Sequence, residues 1–401
     1  MTHLKLERRT QWKLLIAVIA TAILLSGFTL LTSKASASES PAFSWDRVPS
    51  AAVITLLRPM NDSEIQFIAK NFSWVGLKML PSPGKKAEDS MRDAVTALKK
   101  ANPNIKVLFY WNTLVYTPRY RTNVPFQLSQ CRDESKAADT GATPCVRDRR
   151  KRIHYDRSSS DFRKWWAESA AEAVKISGSD GVMADATGKR YDENVPDMLN
   201  RLQTLLKPMG RDFIIFNGGS AGYPTLKKYS ALDTTDGFIF ERFDQFEVVG
   251  ADNLKADMMA VDAAGKRGET VLFKTWPGFE ILDSDYLGDK RNRSPESLQK
   301  YRDTSDKARN AITFPLACFL VVAHPGTYFG YSWSYREPGG GTLLYKDAGK
   351  TVDSEWYPEL QRRLGAPKAD AKIDGYVFTR SFEYADVRVD LEAHEATIDW
   401  R

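Results

Sequence analysis

Two carboxylates occupy the same place in two copies of one short pattern. Residues 180–185 read Asp-Gly-Val-Met-Ala-Asp and residues 236–241 read Asp-Gly-Phe-Ile-Phe-Glu. Asp185 and Glu241 therefore each close a run of three apolar residues that opens on Asp-Gly. A strand alternates its faces with period two, so two such strands in one sheet would aim both acids the same way at the same height. Converging carboxylates at strand ends are what cleavage of a glycosidic bond requires: one protonates the leaving oxygen, and the other attacks the anomeric carbon or activates water. The opening Asp180 and Asp236 precede their strands and read as turn residues closing the preceding loops.

The elements that would position these acids form a longer series. Apolar runs at residues 52–57, 74–80, 106–112, 181–185, 213–217, 237–241, 270–276 and 327–333 read as strands. Between them, helical patterns fall at 63–71, 87–102, 161–176, 195–207, 252–264 and 295–323, the last broken at Pro315. Continuous apolar strands alternating with helices mean a parallel sheet covered on both faces. Eight such units predict an α/β fold of the (β/α)8 TIM-barrel kind. An open nucleotide-binding sheet would carry a glycine-rich turn after its first strand, and Leu57-Arg58-Pro59-Met60 contains none. Beyond Trp333 the pattern changes to a Gly339-Gly340-Gly341 break, a short helix at 355–365 and three short strands at 375–380, 387–391 and 396–400. The expected organisation is a leader at 1–37, a barrel carrying the catalytic site at 45–335, and a small C-terminal β appendage at 336–401 packed on it.

In such barrels the working residues sit at the C-terminal ends of the strands. Those ends supply Arg58, Lys78, Tyr110, Trp111, Asn112, Asn217, Lys274, Trp276, Tyr331 and Trp333 beside the two acids. Aromatic faces suit sugar rings, while Asn, Arg and Lys can hydrogen-bond hydroxyls. These ten are the expected substrate-binding set. His324, before Pro325-Gly326, reads as structural, and Arg242 is one residue out of phase with Glu241.

Composition narrows the alternatives. With 42% hydrophobic and 27% charged residues and a net charge of +6, the chain reads as globular. Its densest basic run, Arg147 to Arg152, has no stacking motif or recognition fold beside it and reads as a solvated loop, so nucleic acid is not an expected partner. Four histidines and no Cys/His spacing leave no metal site. The His/Asp cluster of a metal-dependent phosphodiesterase or deacetylase is missing, and no cofactor is expected. Lys5, Arg8, Arg9 and Lys13 precede an apolar stretch at 14–31, which is followed by Ala35-Ser36-Ala37. That is the layout of a secretory signal, with an uncleaved inner-membrane anchor the alternative. Either way the remainder is exported to a periplasmic or extracellular space. Cys131 and Cys145 bracket a polar stretch that an oxidising compartment would close as a disulfide. Cys318 lies in an apolar run and reads as a small buried hydrophobe.

The two Asp-Gly strands, together with Leu364-Gly365-Ala366-Pro367, the run Tyr376 to Phe382 (YVFTRSF) and Val387-Arg388-Val389-Asp390, resemble the bacterial glycosyl-hydrolase-like barrels. In those families a DG-apolar-x-x-D segment closes strand four, and an R-x-F…V-x-V β segment follows the barrel. The layout is also similar to the α-galactosidase-like clan, whose strand-four acid is the nucleophile and strand-six acid the general acid/base. The resemblance runs from about residue 51 to the end and implies Asp185 as nucleophile and Glu241 as acid/base. In one departure the clan's strand-six acid is usually Asp, and Glu241 is one methylene longer, which leaves retention and inversion both open. The expected activity is that of an exported glycoside hydrolase cleaving a poly- or oligosaccharide. The alternative is a non-catalytic carbohydrate-binding barrel.

Overall fold

The structure is a computed structural model describing residues 40–56, 59–79, 85–117, 120, 122, 132–133, 145–147, 152–187, 192–219, 234–244, 250–277, 295–331, 345–347, 350–352 and 357–401. The leader expected at 1–37 lies outside the described residues, as do Arg58, Cys131 and Trp333. Eight parallel strands pair in chain order: β1 (Ala51–Leu56), β2 (Trp74–Met79), β3 (Lys106–Asn112), β4 (Gly181–Asp185), β5 (Phe213–Gly219), β6 (Gly237–Phe243), β7 (Thr270–Thr275) and β8 (Thr327–Tyr331). Ser50 bridges Phe329 in parallel, and the Phe329 N–H donates to the Pro49 carbonyl at 2.8 Å, bringing the last strand back to the first. The expected α/β barrel is therefore the fold. Its described helices are α1 (Asp62–Asn71), α2 (Ala87–Ala101), α3 (Ser160–Ser177), α4 (Asn194–Leu206), α5 (Ala251–Lys266), α6 (Pro295–Ala311) and α7 (Thr313–Val322).

Period-two alternation divides every strand between two cores. Trp74, Leu108, Met183, Ile215, Leu272 and Tyr328 fill the lumen. Val107, Phe109, Val182, Phe216 and Phe273, in the opposite phase, pack against the helices. Full burial of such side chains contributes about 1.5–3 kcal/mol each. Phe43, entering below β1, packs on the luminal cluster, and the Tyr328 hydroxyl donates to the Pro41 carbonyl at 3.0 Å beside it.

The Asp-Gly pairs are more than turn closures. Asp180 accepts the Val107 N–H at 2.7 Å and pairs with Lys99 at 2.8 Å. Asp236 likewise accepts the Ile214 N–H at 2.7 Å. Each acid thus satisfies a backbone donor at the start of the preceding strand. Each glycine serves the strand that follows: a Cβ on Gly181 would lie 1.9 Å from the Phe213 carbonyl oxygen, and one on Gly237 1.7 Å from that of Thr270. The repeat is a register device linking three strands at the foot of the barrel.

The break in the last helical region falls at Ile312, not at Pro315. Proline occupies the third position of α7, where a helix N–H has no intrahelical acceptor to lose. Helix α7 (TFPLACFLVV) is apolar all round because it is covered on two sides. On one side lie α5 and β8, and on the other a four-stranded antiparallel sheet of β9 (Lys372–Asp374), β10 (Val377–Ser381), β11 (Ala385–Asp390) and β12 (Glu395–Trp400). This sheet has one strand more than the sequence predicts, and the helix expected at 355–365 is a single 3-10 turn, Pro358–Gln361. Phe378, Val387 and Val389 point into the α7 interface. Arg380, 5% exposed, donates to the carbonyls of Leu320 and Ala323 at 3.1 and 2.6 Å and to that of Ala369 at 3.1 Å. It satisfies orphan acceptors at the C-terminal end of α7. Among the described residues, no helix is long and apolar enough to cross a membrane.

Candidate active site

The luminal phase that places Leu108 and Met183 below also carries Lys78, Tyr110, Asn112, Asp185, Asn217, Glu241 and Lys274 to the C-terminal ends of β2 to β7. Asn112 and Asp185 are paired across β3 and β4. The Tyr110 hydroxyl donates to Asp185 Oδ2, and the Asn112 amide reaches the same oxygen at 3.4 Å. Asn112 is itself held, because its Oδ1 accepts the N–H groups of Leu114 and Val115 at 2.9 and 2.6 Å. Burial, then the neighbouring Asp185 carboxylate, pushes the Tyr110 phenol well above its ordinary value. It therefore stays a hydrogen-bond donor at neutral pH. The Lys78 ammonium lies 4.5 Å from the centre of the same ring.

Asn217 joins the two acids. Its Nδ2 donates to Asp185 Oδ1 at 3.1 Å and to Glu241 Oε2 at 2.7 Å. The two acceptor oxygens consequently lie no further apart than the sum of those distances, about 5.8 Å. The Lys274 ammonium stands 3.9 Å from Glu241 Oε1 and 4.6 Å from the centre of the Trp276 ring.

Departures from ideal strand geometry flank both acids. On β5 the register to β6 shifts between Asn217 and Gly219, and on β6 the register to β7 shifts across Glu241 and Arg242. Such extra residues bend a strand and re-aim its side chains, a recurrent device beside active sites. Ala186, next after Asp185, has a left-handed φ of 57°. Its carbonyl is held by the Thr113 hydroxyl at 2.9 Å and the Arg157 guanidinium at 3.1 Å. A non-glycine residue keeps that conformation only when its surroundings hold it. Neither Ala186 nor its two clamps carries a sequence signal of this role.

Three expected sugar contacts do not face the lumen. Trp111 and Tyr331 are one residue out of phase with their luminal neighbours. Trp111 stacks on Tyr120 at 5.0 Å, and the Tyr331 hydroxyl donates to the Ala308 carbonyl at 2.5 Å. Trp276 is fully buried, and its indole N–H donates to the Glu241 carbonyl at 2.8 Å. It is a support beneath the acid with no face open to a sugar. His324 pairs with Asp262 at 2.8 Å, away from these groups. Cys145 is buried, and Cys318 is free and buried. Among the described residues no group of three or more His, Cys, Asp or Glu is arranged to hold a metal.

A family model described as "Hypothetical glycosyl hydrolase family 15" matches residues 99–386. No curated protein matches the sequence. Among solved structures, a cycloisomaltooligosaccharide glucanotransferase from Paenibacillus sp. is 14% identical with a TM-score of 0.41, over 59% of this chain and 39% of that one. This chain thus spans about two fifths of that protein's length. An α-amylase from Anoxybacillus is 11% identical with a TM-score of 0.49, over 86% and 87%. A family 39 glycoside hydrolase from Bacteroides cellulosilyticus WH2 is 12% identical with a TM-score of 0.48, over 87% and 72%. At these identities and scores neither substrate nor residue roles transfer from them.

Proposed function

Because the chain belongs to hypothetical glycosyl hydrolase family 15, whose model spans most of it, we propose that it is an exported glycoside hydrolase working through Asp185 and Glu241. Membership of that family supports a carbohydrate-active enzyme; the residues and chemistry are our reading. The observation that carries it is the single Asn217 nitrogen within 3.1 and 2.7 Å of both carboxylates. That spacing is short enough for both acids to act on one glycosidic bond, and retention follows from the nucleophile role that the clan resemblance gives Asp185.

Asp185 attacks the anomeric carbon while Glu241 gives its proton to the departing glycosidic oxygen, leaving a glycosyl ester on Asp185. Glu241 then takes a proton from water, whose oxygen displaces Asp185. Tyr110, Asn112 and Asn217 orient the Asp185 carboxylate before attack and stabilise the charge that returns to it when the ester breaks. Lys274 borders Glu241 and Lys78 lies over the Tyr110 ring, which supports reading them, with Asn112 and Asn217, as the groups that bind sugar hydroxyls. The test is proton NMR of the anomer first released from the 4-nitrophenyl glycoside that the enzyme cleaves fastest. Retention is expected, and an inverted first product would contradict the Asp185 ester.

Export and the Cys131–Cys145 bridge belong to the same reading, supported by the basic-apolar-AxA leader and by the burial of Cys145. Thiol counting on the denatured, unreduced protein should find one reactive cysteine, Cys318. Three would contradict the bridge.

A further inference from the structure

We propose that Asp244 and His394 form a positioning pair, through which the C-terminal sheet holds the end of β6 and with it Glu241. The inference rests on the reading of Glu241 as the acid/base group. The register shift across Glu241 and Arg242 interrupts the ladder to β7 where the acid must be held. Two side-chain clamps stand in for it. Trp276 holds the Glu241 carbonyl at 2.8 Å. Three residues after Glu241, Asp244 Oδ2 lies 2.9 Å from His394 Nε2, in the turn between β11 and β12.

The pair is built at some cost. Asp244 is 1% exposed, and among the described residues its Oδ1 has no hydrogen-bond partner. Both Asp244 and His394 have a left-handed φ of 52°, which non-glycine residues keep only where the surroundings over-determine them. The imidazole stacks on Phe314 in the first turn of α7, with ring centres 3.8 Å apart and planes at 23°. Among the described residues His394 is the charged partner of this buried carboxylate, and removal of such a partner leaves an uncompensated charge. Three elements, β6, α7 and the C-terminal sheet, therefore meet at one ion pair.

The pair also communicates with solvent. It borders a cavity of about 490 Å³ lined by Asn310, Thr313, Phe314, Arg388 and Glu395, and the His394 side chain is 35% exposed. The hydrogen bond and charge of Asp244 raise His394 above the ordinary imidazole value against the opposing effect of burial. Among the described residues, the other charged groups lining that cavity are Arg388 on β11 and Glu395 on β12. From α7 the buried Cys318 thiol is pushed up by burial and then by Asp244, so it stays neutral. The charged pair is intact where His394 is protonated and Asp244 ionised, and it weakens as pH rises through the raised His394 value. Turnover should decline with it.

The experiment compares kcat, KM and the pH profile of His394→Gln and Asp244→Asn with wild type on its fastest 4-nitrophenyl glycoside. We expect kcat to fall about tenfold or more with KM changed less than about threefold, and the alkaline decline assigned to His394 to vanish in both variants. Unchanged kcat, or a lowered melting temperature with the wild-type pH profile, overturns the proposal by making the pair merely structural. If a single variant does not fold, the double change Asp244→Asn/His394→Gln leaves no unpaired buried charge and gives the same readout. Asp185→Asn and Glu241→Gln are run alongside. If these retain turnover, the carboxylate reading fails and the inference with it; if they are dead while His394→Gln is unchanged, only the positioning role fails.

Discussion

Replacement of Asn217 by alanine removes, among the described residues, the one side chain that hydrogen-bonds both acids. Its amide makes two hydrogen bonds, at 3.1 Å to Asp185 and 2.7 Å to Glu241. Hydrogen bonds to charged groups contribute about 1.5–3 kcal/mol each. The Glu241 side chain is 18% exposed, so water replaces part of what is lost. A net loss of about 3 kcal/mol at the transition state corresponds to roughly a hundredfold in kcat/KM, at about 1.4 kcal/mol per decade. Asn217→Asp keeps the shape but sets a third carboxylate against two others, and like charges at that range repel. It should be slower still. The assay is steady-state hydrolysis of a 4-nitrophenyl glycoside, with circular dichroism and the melting temperature checking the fold. Asn217→Ala within about fivefold of wild type, or Asn217→Asp faster than Asn217→Ala, would refute the reasoning that this amide aligns the pair.

Three further outcomes concern the scaffold. Gly237→Ala would push a methyl to within 1.7 Å of the Thr270 carbonyl oxygen, forcing β6 from β7 at a cost of about 4 kcal/mol or more; a melting temperature within a few degrees of wild type would contradict the register device. Arg380→Met leaves the Leu320, Ala323 and Ala369 carbonyls without their donor and should cost about 3 kcal/mol, read as a lower urea midpoint at unchanged slope. Burial works against the Asp262 carboxylate, but hydrogen bonds from His324 and Lys266 more than offset it and hold the acid below its ordinary value. Its contribution to stability is complete above that ordinary value and is lost as pH falls through the lowered one. The double variant His324→Leu/Lys266→Met should therefore show a shallower acid loss of urea midpoint, and an identical loss would refute the assignment.

The barrel was legible because each strand is an apolar run between amphipathic helices, and the Asp-Gly repeat placed both acids in one phase. The same period-two rule, applied to every candidate, would have turned Trp111 away from Asn112 and Tyr331 away from Tyr328. A cluster of polar and aromatic residues at a strand end does not by itself show which of them share the luminal phase. Trp276 escapes that rule, because it follows the end of β7 and its place is set by a bond to the Glu241 carbonyl. The shifts beside Asn217 and Glu241 had only Gly218-Gly219 as a local trace, since extra residues are defined by the partner strand. Ala186, Asp244 and His394 gave no signal at all: left-handed alanine is unusual in any sequence, and the Asp–His pair joins residues 150 apart in the chain. The R-x-F element was visible only through family resemblance. Its physical basis, an arginine satisfying the last carbonyls of α7, needs the docked sheet.

The most direct test of the carboxylate pair is the turnover of Asp185→Asn and Glu241→Gln on an activated aryl glycoside, measured beside their melting temperatures. Each amide nearly preserves shape while removing the nucleophile or the transferable proton. The account predicts a fall in kcat of about a thousandfold or more in each variant, with melting temperatures close to wild type. Turnover within about tenfold of wild type in either well-folded variant would contradict it.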